Sequence, residues 1–180
     1  FTGMLAMLSL ALLTGEAWPE GIDFLWAGAA GVIGAFGIVA LFYGLSRRAA
    51  AIVAPTSTVV GTAIPVLVSA LLEGLPGPAQ MAGILLGAAG IWLVSRPPGE
   101  ITPEMRRLFW LAAGSGVCFG TFFVCIAQVS SDSLFAPLTI SKASASLAAL
   151  LLLRLRRLPL PNARRNPLAL LAGLMDTGGN

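Results

Sequence analysis

Lys142 lies in the stretch TISKASAS, residues 139–146, between the apolar runs SLFAPL and LAALLLLRL. An amine in such a place can hold an anionic group, pair with a carboxylate, or reach back to water along its own aliphatic stem. The residue sits about eight positions into its run, or ~12 Å of helical rise. In a hydrocarbon core ~30 Å thick that is close to mid-depth. A charge there costs at least ~2.5–3.5 kcal/mol, so an intramembrane lysine is a functional candidate with a partner to be found. On a helix its same-face neighbours are Thr139, Ala145, Ser146 and Ala149. That stripe is small and polar, which suits a protein interior or a water-filled cavity.

Asp176 is the expected partner. It stands about nine residues beyond Pro167, ~13 Å into the last apolar segment. Counted from opposite sides of a helical hairpin, Lys142 and Asp176 arrive at the same depth to within roughly one turn. The pair would be structural, or a switch opened by a substrate or a proton. A second polar stripe runs through Thr58, Thr62, Pro65 and Ser69. Pro65 carries no amide hydrogen, so the Gly61 carbonyl loses its helical donor and is left to a hydroxyl, water or a ligand. Such a helix lines a pathway or simply packs with a kink.

The rest of the chain must position these groups. Of 180 residues, 57% are hydrophobic and 11% charged, with mean hydropathy +0.88, against about a quarter charged in soluble domains. The composition predicts an all-α polytopic membrane protein; the alternation of a membrane barrel is absent. Seven apolar segments are expected: Phe1–Leu13, Phe24–Leu45, Ala49–Leu72, Met81–Val94, Leu108–Val129, Leu134–Leu153, and one starting near Pro167. The two end segments are cut short, so the chain reads as part of a longer protein.

Charges sort by link. Arg47 and Arg48, then Arg96, Arg106 and Arg107, then Arg154, Arg156, Arg157, Arg164 and Arg165 occupy alternate links. The intervening links hold only acids: Glu16, Glu20 and Asp23, then Glu73, then Asp132. Basic loops stay in the cytoplasm, which puts the acidic links outside. Trp92 and Trp110 then mark the inner interface and Trp18 and Trp26 the outer one. Glu73, Asp132 and the acids near Trp18 are expected to be solvated loop residues. The arginines are a topology signal and do not suggest nucleic acid. There is no histidine, which removes the commonest metal ligand and general base. Cys118 and Cys125 lie seven apart on one segment, ~10 Å along the axis, too far for a disulfide within the chain.

Glycines recur at packing intervals: Gly28, Gly31, Gly34 and Gly37, then Gly83, Gly87 and Gly90, then Gly116 and Gly120. In lipid, small residues let helix backbones approach. LWAGAAGVIGAFG from Leu25 is echoed by LLAGLMDTGGN from Leu170, and internal repeats are common in transporters.

These features converge on a family. The stretch GIVALFYGLSRRAAAIVAPTSTVVGTAIPVLVSALLEGLPGPAQMAGILLGAAGIWLVSRP resembles the EamA-type repeat of the drug/metabolite transporter superfamily. The likeness rests on Tyr43-Gly44-Leu45 closing a helix, Val53-Ala54-Pro55, Pro65, and Gln80 with Gly83 and Gly90. GSGVCFGTFFVCIAQVSSDSLFAPLTISKASASLAALLLL, followed by LLAGLMDTGGN, looks like the start of a second copy. The turn LEGLPGPAQ departs from the Gly-Glu-Arg that family members often carry there. The resemblance implies a ten-helix transporter of two inverted five-helix repeats. Residues 1–97 would form most of the first repeat and 105–180 the start of the second. It also implies a basic residue early in a repeat's second helix, where Lys142 falls.

The expected function is secondary transport of a small metabolite or drug across the cytoplasmic membrane by alternating access. Lys142, Asp176, Thr58, Thr62, Pro65, Thr139 and Ser146 are the candidate binding or gating residues. The partners are a small-molecule substrate, the lipid bilayer and a coupling proton or ion. No cofactor, metal or catalytic activity is expected. The alternative is a membrane receptor or scaffold without transport activity.

Overall fold

A computed structural model describes residues 2–47, 49–94, 102–129 and 133–158, together with residues 173 and 175. The described residues form six helices and no strand. They are α1 (Thr2–Thr14), α2 (Ile22–Ser46), α3 (Ala50–Leu72), α4 (Pro78–Val94), α5 (Pro103–Ala127) and α6 (Phe135–Leu155). Each matches one of the first six apolar segments to within a few residues. Of the seventh, only Gly173 and Met175 are described, both helical. Asp176, Asp132, Arg48, Arg96, Arg164, Arg165 and the Trp92 side chain lie outside the described residues.

Four helices, α2, α3, α5 and α6, are long and apolar enough to cross a bilayer. Their outward faces carry large apolar side chains in the open, as at Phe36 (56% exposed), Leu71 (84%) and Leu147 (69%). Water does not tolerate an apolar surface of that extent on a monomer, and lipid does. The protein is a multi-pass α-helical membrane protein.

Local chemistry sets the helix ends. Gly15, with φ +65°, closes α1 in the left-handed conformation that glycine enters without strain. Thr102 starts α5 by accepting a hydrogen bond from the Met105 amide at 3.2 Å, with Pro103 in the first helical position. At the start of α4 the Gln80 side chain reaches back to accept from the Gly77 amide at 3.1 Å. The Gln80 of the family-like motif thus has a capping role here.

The helices gather into two compact units. The first takes residues 1–35 and 125–180, the second residues 36–124. In the first, α1 packs along α6 and buries Gly3, Met7 and Ala11 at four-residue spacing. The early half of α2 buries Ala27, Ala30, Gly31 and Gly34, all of them small. In the second, Val53, Leu108 and Ala112 form a core with Leu41, Leu45 and Leu111 against it. That core brings the end of α2 and the start of α5 together, so Arg47 and the exposed Arg106 and Arg107 share one end of the unit. Glu73 stands at the far end of α3. α4 packs against α3 and is exposed from Pro78 to Gly90.

Candidate functional site

Lys142 lies two turns into α6 and is partly buried. The helix around it carries Thr139, Ser141, Ser144 and Ser146 within eight residues. Thr139 is 6% exposed and Ser141 2%; Ser144 and Ser146 are partly buried. The Thr139 hydroxyl donates to the Phe135 carbonyl one turn back, at 2.8 Å. Ser144 donates to the Gly28 carbonyl of α2 at 2.9 Å and to Ser141 of its own helix at 2.9 Å. α2 accepts this contact because Gly31 has no side chain. A Cβ there would collide with the Ser141 carbonyl oxygen and the Ser144 hydroxyl. Ser141 and Ser144, three positions apart, therefore turn one face of α6 onto Gly28 and Gly31 of α2. Lys142 projects about 100° round the helix from Ser141, away from that seam.

The amino end of α6 is held from elsewhere in the chain. Leu134, its N-cap residue, has no capping side chain. The Glu16 carboxylate fills that role from the α1–α2 link. It accepts the amides of Leu134 at 3.1 Å, Phe135 at 2.8 Å and Ala136 at 2.9 Å. A carboxylate at a helix amino terminus satisfies unpaired donors and lies in the favourable field of the helix dipole. Beside it, the Ser133 hydroxyl donates to the Ala17 carbonyl at 2.9 Å. The expectation of a solvated Glu16 is thereby corrected: its carboxyl group is committed to α6. A local sequence signal for this does not exist, because cap and helix are more than a hundred positions apart. Glu73 is exposed, and it accepts a hydrogen bond from Ser69 at 2.7 Å.

The stripe on α3 has a different fate. Thr58 and Thr62 are exposed. Their hydroxyls donate to their own helix, Thr58 to Ala54 at 3.0 Å and Thr62 to Thr58 at 2.9 Å. Pro65 is half-buried. The face that α3 buries runs through Val53, Ser57 and Gly61, one position back from Thr58 and Thr62. The carbonyl of Gly61, stripped of its helical donor by Pro65, faces α5: a Cβ added at Gly120 would lie 3.0 Å from its oxygen. α3 and α5 approach closely along this line. A Cβ at Gly116 would fall 2.6 Å from the Ser57 carbonyl oxygen, and one at Gly120 2.6 Å from the Ile64 Cβ.

Sequence reasoning missed a buried hydroxyl chain in the second unit. Ser57 donates to the Ser115 hydroxyl at 3.2 Å, and Ser115 donates to the Gly37 carbonyl at 2.8 Å. Ser115 is fully buried and Ser57 is 3% exposed. The signal was available as one small polar residue at the same helical phase as Leu108, Ala112 and Gly116. The chain links α2, α3 and α5 without any ionisable group.

Lys142, Thr139 and Ser146 thus belong to the first unit, and Thr58, Thr62 and Pro65 to the second. Asp176, as the partner of Lys142, falls outside the described residues. Among the described residues no group of acids and cysteines is arranged to hold a metal. What the first unit offers chemically is an amine among hydroxyls, able to hold an anionic or strongly polar group. No protein-family model, curated protein or solved structure matches the chain.

Proposed function

We propose that this protein is an EamA-like member of the drug/metabolite transporter superfamily. It moves a small metabolite or drug across the cytoplasmic membrane by alternating access, within a ten-helix arrangement of two inverted repeats. The observation that carries this reading is Lys142, partly buried two turns inside a 21-residue apolar helix, with Thr139 and Ser146 three and four positions away on its own face. A lysine at that depth costs several kcal/mol in lipid, and proteins retain such a group to bind or relay something. The hydroxyls beside it supply donors and acceptors for the polar remainder of a small solute.

In this reading Lys142 holds an anionic group of the substrate or gates against Asp176, with Thr139 and Ser146 on the same helical face. Thr58, Thr62 and Pro65 are the candidate substrate contacts of the second unit, on α3. The arginine-bearing ends face the cytoplasm, and a proton or ion drives the cycle. The test is ligand-induced thermal stabilisation of the protein in detergent. The panel holds amino acids, sugars, nucleotide precursors and cationic drugs, and wild type is compared with Lys142→Ala. The expected result is a ligand that stabilises wild type and leaves the variant unmoved. Equal behaviour of the two proteins toward every ligand would overturn the assignment of Lys142. A receptor or scaffold would be favoured if a ligand binds and is never moved.

A further inference from the structure

We propose that the outward face of α5 binds an anionic phospholipid, with Arg106 and Arg107 on its phosphate and Trp110, Gly114 and Val117 along its glycerol and acyl portion. Nothing in this depends on the transport reading of Lys142; it needs only helices that cross a bilayer.

The buried side of α5 fixes its phase. Leu108 and Ala112 pack in the core of the second unit, and Ser115 is fully buried one turn on. Arg106 and Trp110 each stand two positions from Leu108, about 200° round the helix, so both project away from that core. Both are exposed, Trp110 at 69%. The same face continues through Gly114 and Val117, at spacings of four and three, and these are exposed too. A Cβ at Gly114 would meet nothing within 4 Å, so the face is notched between the indole and the Val117 side chain. Arg107, also exposed, flanks the face three positions before Trp110. Phe109 braces the indole edge to face, with ring centroids 5.7 Å apart.

Read along the helix, the face offers guanidinium, indole, notch and aliphatic side chain. A phospholipid presents phosphate, glycerol esters and acyl chain in the same order from water inwards. Arg106 and Trp110 are ~6 Å apart in helical rise, and a headgroup layer takes about 5–8 Å of each side of a bilayer. An apolar notch below an interfacial indole suits a lipid chain and gives a soluble anion nothing.

The two arginines have no other employment. Among the described residues no carboxylate pairs with Arg106 or Arg107, and that includes Glu104 in the first turn of the same helix. They stand in the opening turns of α5, where the helix dipole disfavours cations and a bound anion offsets it. Arg47, at the same end of the unit, is already engaged: its guanidinium lies 5.1 Å from the Tyr43 ring centroid and donates to the Tyr43 hydroxyl at 2.8 Å. Arg154 and Arg156 at the end of α6 are exposed, with no aromatic residue in the turns before them. A topology signal asks only for positive charge in a link. It does not ask for this order of groups on one face.

The test is fluorescence quenching of Trp110 in the full chain, with Trp18→Phe, Trp26→Phe and Trp92→Phe removing the other indoles. The protein is reconstituted in phosphatidylcholine with a minor share of phosphatidylglycerol, and the acyl chains of one lipid or the other are brominated. Quenching should show phosphatidylglycerol beside Trp110 at about five-fold its bulk share or more, the enrichment one arginine near the surface supplies. Arg106→Gln with Arg107→Gln should return it to the bulk share, and Arg156→Gln should leave the enrichment intact. Quenching that follows bulk composition in the folded protein with both arginines present would overturn the proposal. So would displacement of the lipid by free inorganic phosphate, which would mark a soluble-anion site. If the three tryptophan replacements prevent folding, native mass spectrometry of the otherwise unaltered chain decides. Phosphatidylglycerol retained through detergent extraction and lost on Arg106→Gln with Arg107→Gln is the expected result, and equal retention by both proteins overturns it.

Discussion

The two units solve the same packing problem with different chemistry. In each, glycines let one helix lie against another at backbone distance: Gly31 under α6 in the first, Gly116 and Gly120 under α3 in the second. The second unit seals its contact with neutral groups, the Ser57–Ser115–Gly37 chain and a half-buried proline. The first places ionisable groups at the helix that carries its seam: Glu16 caps α6 from the α1–α2 link, and Lys142 lies two turns inside it. Neutral hydrogen bonds between helices contribute modestly and hold a fixed geometry. Charged groups at depth are costly unless they are used. The first unit thus keeps ionisable groups at its packed helix where the second keeps only neutral ones.

The sharpest way to break the comparison is at its glycines. Gly31→Ala puts a methyl group into the Ser141 carbonyl and the Ser144 hydroxyl, and overpacking against backbone should cost about 3 kcal/mol. Gly83→Ala on α4, where nothing stands within 4 Å, should leave the melting temperature unchanged. Equal effects would deny that the seam is close-packed. Next in size is Glu16→Ala, which strips three amides of their acceptor and should lower stability by about 2 kcal/mol. Adding salt should reproduce little of that loss, since the bonds are short-range. Ser115→Ala removes the centre of the neutral chain and should cost about 1 kcal/mol, with ligand binding intact; a loss of binding would move the site into the second unit. The smallest expected effect has the opposite sign. Arg157 sits at φ 52° just beyond α6, where its amide and that of Leu158 close the helix on Arg154 and Leu153. Arg157→Gly relieves that left-handed strain and should raise stability by about 0.5–1 kcal/mol in thermal unfolding.

The helices were legible from the sequence because lipid imposes one rule, twenty or so apolar residues per crossing, and the chain obeys it. α2 and α3 fall within two residues of their apolar runs. α5 begins five residues before Leu108, because Thr102 and Pro103 start a helix through a polar turn that hydropathy does not register. Helix phase was less legible. The stripe through Thr58 and Thr62 was chosen for its hydroxyls, and the packed stripe is the adjacent one through Ser57 and Gly61. Apolar residues surround α3 on every side, so hydrophobicity carries no phase information there, and threonine hydroxyls satisfy themselves on their own backbone. Small residues were the better guide, as at Gly116 and Gly120. Glu16 could not be read at all. Its partners are set by where two links meet in space, and nothing in its neighbourhood encodes that. Lys142 was legible because its cost in lipid is a property of the residue alone.

The most direct test of the account is solute counterflow into proteoliposomes, with a ligand that stabilises the wild-type protein. Wild type, Lys142→Ala and Ser115→Ala are run together. The account predicts exchange by wild type and by Ser115→Ala, and none by Lys142→Ala. Exchange by Lys142→Ala at the wild-type rate would contradict it, since the lysine in α6 would then take no part in moving the solute.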